Sequence, residues 1–437
     1  MSSKLSRLDF LRFSALGATS LILPSAAMAA APKKTKATAK NDFINIGFIG
    51  LGQQAIYLKN GFIGNPDVRV VAGCDVYDIK RNRFEQQVNA YYAEKGIKQK
   101  VDMYVNFEEL LAREDIDAVV IATPDHQHAR IAIAACKAKK DVYLEKPLTF
   151  TVYEGQRLIE AVRANNRILQ VGSMQRSMNE FIHAANVVRE GRLGKVGLIH
   201  AYVGEGPKPY NLPKQEVPAG LDWNLWLGPL SEKFYYNHEV VPLITPNGGD
   251  ECWGAWRWYQ GMGGGFTTDW GAHMFDIAQW CIGKDRTGPS EILPPAASWH
   301  RCLTFKYDNG IEVIQKDFGE GQAVKVQGEN GWIIVGRGKF KASSPDLMPT
   351  KVDQQAMYET NPGHYQAFIN AIKSRRDPNV PVEIGHSSCT MCNIGTSPTS
   401  STDHSSGILS WRSLWQTTRL TSFCTTTTAS HLRWSKL

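Results

Sequence analysis

The chain has 437 residues, 43% of them hydrophobic and 21% charged, with a formal net charge of +7. That length allows two or three domains of about 150 residues each. Its Lys and Arg are scattered rather than blocked together, which argues against a nucleic-acid partner, and eight Cys in such a length do not make a disulfide scaffold.

Residues 1–31 run from basic (Lys4, Arg7, Arg12) through apolar (Phe13 to Met28) to small residues at Ala27-Met28-Ala29. This tripartite order is that of an export signal. Thr19, Ser20 and Pro24 keep the apolar run short of the roughly 20 residues that span a bilayer, so no membrane span is expected in the mature form. Ser6-Arg7-Leu8-Asp9-Phe10-Leu11 resembles the twin-arginine export box, with Leu8 where a second arginine is expected. A periplasmic or secreted location follows as an expectation. Residues 32–41 read as a basic linker.

A dinucleotide-binding domain is expected over residues 42–170. Ile44 to Ile49 reads as a buried strand, followed by Gly50-Leu51-Gly52-Gln53-Gln54-Ala55, a G-x-G-x-x-A turn opening a helix. Gly50 serves the tight turn, Gly52 lets a pyrophosphate approach the backbone, and Ala55 lets the helix pack close to the strand. Gln53 and Gln54, in the same turn, are expected cofactor contacts. Asp67 to Ala72 reads as a second strand, and Asp75 beyond it can accept from ribose hydroxyls and repel a 2′-phosphate. NAD is therefore expected over NADP, although Lys80 and Arg81 lie near enough to favour the latter. Further strands are expected at Ala118 to Ala122, Asp141 to Leu144 and Ile168 to Val171, and helices at Phe107 to Arg113, His128 to Lys139 and Val152 to Asn165. Such alternation implies a doubly wound parallel sheet, whose ligands sit beyond the carboxyl ends of its strands. Thr123, Pro124, His128, Glu145, Lys146 and Gln175 fall there and are expected cofactor contacts.

Residues 171–395 read as a second, substrate-binding domain. Trp223, Trp226, Trp253, Trp256, Trp258 and Tyr259 could stack on sugar faces or simply fill a core. Arg176, Arg257 and Tyr259 are candidate substrate contacts. A glycine loop, Gly261 to Gly265, leads to Asp269 and to a helix over Trp270 to Trp280, and the three- and four-residue spacing puts Asp269, His273 and Asp276 on one face. Cys389-x-x-Cys392 stands alone without a second pair, so no metal centre is expected.

Gly50-Leu51-Gly52, Ala122-Thr123-Pro124 with His128, Glu145-Lys146-Pro147 and Asp269-x-Gly271-x-His273-x-x-Asp276 together resemble the Gfo/Idh/MocA oxidoreductases. The resemblance implies an α/β protein: an N-terminal Rossmann domain, then an α/β domain with a large, open, mostly antiparallel sheet. It implies that Lys146 contacts substrate and cofactor, that Asp269 and His273 complete the catalytic groups, and that the substrate is a sugar or cyclitol. Removing a hydroxyl proton during hydride transfer calls for a base with a pKa near the working pH. His273 and a depressed Lys146 are both eligible, with His273 preferred.

Three functions are expected in order: an exported oxidoreductase holding its NAD tightly, a redox-neutral glycoside hydrolase that oxidises, eliminates and reduces, and a sugar-binding protein without catalysis. Retention of Lys146 favours the first. An open sheet also leaves a face through which copies could associate.

Residues 396–437 break the pattern, with 10 Ser, 10 Thr and a single acidic residue, Asp403. Shifted by one base, permissive codons for this stretch encode a charged amphipathic segment. A frameshift near Gly395 is therefore expected.

Overall fold

The computed structural model describes residues 43–230, 234–242, 254–295, 298, 300–352, 362–396 and 409–410. The export-signal and linker readings over residues 1–41, Trp253, and the odd tail beyond Thr396 (Leu409 and Ser410 apart) lie outside the described residues. The described residues form one compact unit.

The first layer alternates strand and helix as the apolar runs dictate. In chain order it comprises β1 (Ile44–Ile49), α1 (Gln53–Ile63), β2 (Val68–Cys74), α2 (Asp78–Glu94), β3 (Asp102–Tyr104), α3 (Phe107–Leu111), β4 (Ala118–Ile121), α4 (Asp125–Lys137), β5 (Asp141–Leu144), α5 (Val152–Ala164) and β6 (Leu169–Val171). The strands form a parallel six-stranded sheet ordered β3-β2-β1-β4-β5-β6. β4 and β5 are buried at every residue, as strands covered by helices on both faces must be. α4 starts at Asp125, three residues before the expected start, because Pro124 at its N-cap closes the strand exit at once. α5 carries a reciprocal capping box between Thr151 and Glu154.

The second layer follows a 3₁₀ turn at Met174–Ser177. It contains α6 (Asn179–Arg189), β7 (Val196–Ala201), α7 (Trp223–Leu227), a 3₁₀ turn at Ala255–Trp258, α8 (Gly265–Asp269) and α9 (Gly271–Cys281). Then come β8 (Glu291–Leu293), β9 (Thr304–Lys306), β10 (Glu312–Gln315), β11 (Val324–Gly328), β12 (Gly331–Gly336) and β13 (Lys339–Ala342). The chain continues in α10 (Pro362–Ser374), α11 (Val382–Gly395) and β14 (Leu409–Ser410). The eight strands form one sheet ordered β13-β12-β11-β7-β10-β9-β8-β14, antiparallel except where β10 pairs with β7. Val313, Val326 and Ile333 from one face pack with Phe181 and Ala184 of α6 and Phe275 and Ile277 of α9.

A single cut at residue 170 does not divide the core. From α10, Tyr365, Phe368 and Ile369 pack with Phe62 and Tyr143 of the first layer; the Tyr365 and Phe62 rings lie 4.9 Å apart. From α11, Val382, Ile384 and Cys389 join Leu144 and Val171 on the other face of that sheet. The backbone N–H of Val171 also donates to Val380 O at 3.0 Å. The last described helices thus return to the first sheet, which the linear pattern does not reveal.

Candidate active site

Gly50 adopts φ +82°, and a Cβ there would lie 2.7 Å from Thr123 N, so only glycine fits this turn. Gly52 is the opposite case: a Cβ would meet only Lys80 Nζ, at 3.8 Å. The N-terminus of α1 therefore faces open space with no side-chain cap, as a pyrophosphate cradle requires. Asp75 stitches the turn to the end of β2. Its Oδ2 accepts from Leu51 N at 2.7 Å and its Oδ1 from Tyr77 N at 2.9 Å, leaving lone pairs for ribose hydroxyls. Arg81 is spent on Asp75 O at 2.6 Å, whereas Lys80 lines the cavity.

That cavity, of about 640 Å³, lies between the strand exits and the second layer, within the size range of cofactor sites. Gln53, Gln54, Asp75, Thr123, Pro124, Glu145 and Lys146 line it from the first layer; Arg257, Asp269 and His273 line it from the second. Gln54 Nε2 donates to Glu145 Oε1 at 3.0 Å, bracing the Glu-Lys-Pro turn. Lys146 Nζ lies 2.7 Å from Asp269 Oδ1, joining β5 to α8 across the cavity. Burial pushes the Asp269 carboxyl up, but Lys146, Arg257 and Arg337 outweigh it and hold it below the usual range.

His273 is 4% exposed, and Arg337 Nη2 donates to its Nε2 at 2.9 Å. Burial, then Arg337 and Lys146, hold its pKa well below the ordinary imidazole value. The guanidinium of Arg257 lies over Trp256 and Trp258, at 4.7 and 5.7 Å, with Nε 4.0 Å from Asp269 Oδ1. Trp226, Trp256, Trp258 and Trp270 also line the cavity, but cationic or aromatic groups already sit against several of their rings. Trp258 stacks on Phe266 at 4.3 Å and Trp226 on Trp223 at 4.6 Å.

Five expectations change. His128 is wholly buried and does not line the cavity. Its ring nitrogens face Pro147 O at 2.8 Å and Thr123 O at 3.0 Å, so it ties the two strand-exit turns together. Gln175 is buried outside the cavity, with neither amide atom paired among the described residues. Arg176 is no substrate contact: it makes a buried two-pronged pair with Asp276 at 2.7 and 2.9 Å and a second with Asp285 at 2.8 Å. A guanidinium so deeply buried needs those carboxylates. Tyr259 is 1% exposed and donates to Glu239 at 2.9 Å, away from the cavity. Finally, Asp276 does not join Asp269 and His273 at the cavity: the helical run breaks at Trp270, between Asp269 and His273, and Asp276 on α9 is turned to Arg176.

Two site residues escaped the sequence reading. Asp125 opens α4 and lines the cavity, its pKa raised by burial to about 7 against the pull of Arg257 and Lys146. Its place, directly after Thr123-Pro124 at a strand exit, was the available signal. Arg337 comes from the turn between β12 and β13, 64 positions beyond its partner, and only the Gly336-Arg337-Gly338 context marks it.

Known proteins share this layout. Residues 44–173 match the Gfo/Idh/MocA oxidoreductase family, NAD-binding Rossmann fold, and residues 198–404 match its C-terminal alpha/beta domain. Inositol 2-dehydrogenase of Salmonella paratyphi B is 29% identical over 185 residues, 42% of this chain and 50% of that protein. A glycosyl hydrolase family 109 protein of Shewanella pealeana is 30% identical over 255 residues, 55% of each. The chain thus spans about half the length of these curated relatives. Among solved structures, aldose-aldose oxidoreductase from Caulobacter crescentus superposes with TM-score 0.56 at 18% identity, covering 81% of this chain and 97% of that one. Scyllo-inositol dehydrogenase from Lactobacillus casei, solved with NAD(H) and scyllo-inositol, gives 0.53 at 17% identity, covering 81% and 95%. At such identities these structures speak for the fold alone.

Proposed function

The chain belongs to the Gfo/Idh/MocA oxidoreductase family, and on that footing we propose that it moves a hydride between NAD and a hydroxyl-bearing carbon of a sugar or cyclitol. The observation that carries this reading is the Lys146–Asp269 pair, 2.7 Å apart, in one cavity with His273 and the open glycine turn. Bound NAD would supply the hydride acceptor. Gly50 and Gly52 would seat its pyrophosphate, Asp75 its ribose, and Thr123, Pro124 and Glu145 would lie along its course. Lys146 and His273 are the groups available to the reacting oxygen, and Asp269 holds the Lys146 ammonium in place. NAD is favoured over NADP because Asp75 keeps its carboxylate beside the turn while Arg81 is held on the Asp75 carbonyl oxygen.

Export of the mature enzyme belongs to the same proposal. It is supported by the sequence pattern of residues 1–31, and it favours a cofactor that stays bound, since free NAD is scarce outside the cytoplasm.

The test is mass spectrometry of the purified protein for bound nicotinamide, followed by a panel of sugars and cyclitols monitored by nicotinamide absorbance. Reduction of the cofactor by at least one of them is expected. Bound cofactor that no member of the panel reduces or oxidises would sink the proposal.

The 30% identity to a glycosyl hydrolase family 109 protein favours one second reading, a redox-neutral glycoside hydrolase using the same site. Release of aglycone from a chromogenic glycoside with only catalytic NAD, and without net NADH, would select it.

A further inference from the structure

Arg337 occupies the turn between β12 and β13, at one edge of the second sheet. The turn is anchored by Gly338 N, which donates to the buried Glu180 Oε1 at 3.2 Å. The guanidinium lies over the Trp270 ring, 4.6 Å from its centroid, and its Nη2 is 2.9 Å from His273 Nε2. A guanidinium carries hydrogen-bond donors and no acceptor. His273 Nε2 must therefore present its lone pair, and the single proton of the neutral ring sits on Nδ1. Nδ1 is buried and has no partner among the described residues, in a side chain that lines the cavity. A buried donor left unpaired is destabilising, so the site has reason to await an acceptor.

The charged groups around the ring are Arg337 on the β12–β13 turn, Lys146 beyond β5, and Asp269 at the end of α8, itself paired to Lys146. Its own helix, α9, adds no charge to the cavity, because Asp276 is turned to Arg176. Burial, and then the two cations beside the ring, oppose its protonation, and that favours the neutral form the geometry requires.

We propose that Arg337 is a positioning residue that fixes His273 as the neutral Nδ1–H tautomer, making His273 a hydrogen-bond donor to the reacting oxygen rather than the base. This rests on the site reading above. Lys146 then handles the proton. In carbonyl reduction, an N–H bond of the Lys146 ammonium breaks as the O–H bond forms, while the carbon takes a hydride from reduced nicotinamide. Alcohol oxidation is the reverse. The Nδ1–H bond of His273 persists throughout. Asp269 favours the ammonium that the reductive direction needs.

Two measurements on the full chain test it. Nitrogen-15 NMR of histidine-labelled protein, with the His273 resonances assigned by their loss in His273→Gln, needs neither cofactor nor substrate. The Nδ1–H tautomer is expected from about pH 5.5 to pH 8. In Arg337→Met the ring should shift to the Nε2–H tautomer or begin to titrate within that range. Arg337→Lys, which keeps a cationic donor, should restore the wild-type pattern.

In turnover, Arg337→Met should lower kcat by on the order of 10²-fold with little change in the amount of nicotinamide that stays bound to the purified protein. Its activity should fall off at higher pH than wild type on the acid side, because losing the neighbouring cation raises the His273 pKa. An Nε2–H ring in the wild type, or an Nδ1–H ring unchanged in both variants, would overturn the proposal. If the tautomer result holds and no sugar turns over, the functional reading fails while the role of Arg337 stands.

Discussion

Lys146 and Asp269 are 123 positions apart in the chain, yet they form one ion pair in the cavity wall. Each side chain is about one-fifth exposed, so solvent screens part of their attraction. The pair is better viewed as holding a proton donor in place than as a source of stability. Lys146→Met should therefore lower kcat by roughly 10²- to 10⁴-fold, the usual loss for an acid–base group. Cofactor affinity, measured by fluorescence titration, should change little, because the glycine turn and Asp75 are untouched. An undiminished kcat would remove Lys146 from the chemistry. Lys146, Asp269 and His273 were legible in the sequence because each sits in a short motif at a strand exit or helix start. Arg176 and Tyr259 were misread because an arginine bound to substrate and one neutralised by buried carboxylates look alike in one dimension. Arg337 was missed because its role depends on a turn of the second sheet reaching a helix of another segment.

Helix contacts decide how firmly that cavity is held. Arg176, on the 3₁₀ turn, grips Asp276 of α9, and Ser388 of α11 donates to the same carboxylate at 2.5 Å. Arg176→Met would leave Asp276 and the largely buried Asp285 uncompensated. It should cost about 3–5 kcal/mol in urea unfolding, with a lower midpoint. A loss below about 1 kcal/mol would mean that the pair contributes little. Glycines mark the two helices that return to the first sheet. A Cβ on Gly61 of α1 would collide with the Tyr365 ring of α10, and one on Gly155 of α5 with the His386 ring of α11. Alanine raises helix propensity by roughly 1 kcal/mol over glycine, so an exposed helix would gain from the change. Here overpacking opposes it by about 1–3 kcal/mol. Gly61→Ala and Gly155→Ala are expected to lower the melting temperature, and a rise in either would show that its helix contact yields without cost. The helices themselves were legible from periodicity, as were the strands of the first sheet. Which sheet α10 and α11 join was not, because their apolar faces suit either layer and only the packed partners decide.

At the scale of the whole molecule, burial of titratable groups sets the response to acid. His126, His128, His364 and His386 are buried, and burial lowers each pKa from 6.5 to about 4. Between those values the unfolded chain takes up protons that the native chain refuses, so stability falls as pH drops through that window. A shift of that size corresponds to about 3 kcal/mol per ring at most. Asp125 and Glu154 act in the opposite sense. Burial raises them from 3.8 and 4.5 to about 7, so the native chain keeps protons that the unfolded chain has released. The stability they contribute is present below about pH 4 and is lost as pH rises through 7. His273, lowered, and Glu145, raised, add one group to each side. Two of the four rings are thus offset, and the other two tip the balance. The unfolding free energy from urea titration should be highest near neutrality and should fall between about pH 6.5 and pH 4, by several kcal/mol in all, with the midpoint falling alongside. His364 offers the sharpest check. It bridges Ser177 Oγ at 3.0 Å and Val171 O at 3.2 Å, beside the junction of the two layers. His364→Gln keeps a polar side chain there but cannot titrate. It should flatten the acid limb relative to wild type, whatever its cost at neutral pH. A midpoint that stays level or rises on acidification, or an acid limb equally steep in His364→Gln, would show that these buried rings do not control acid unfolding.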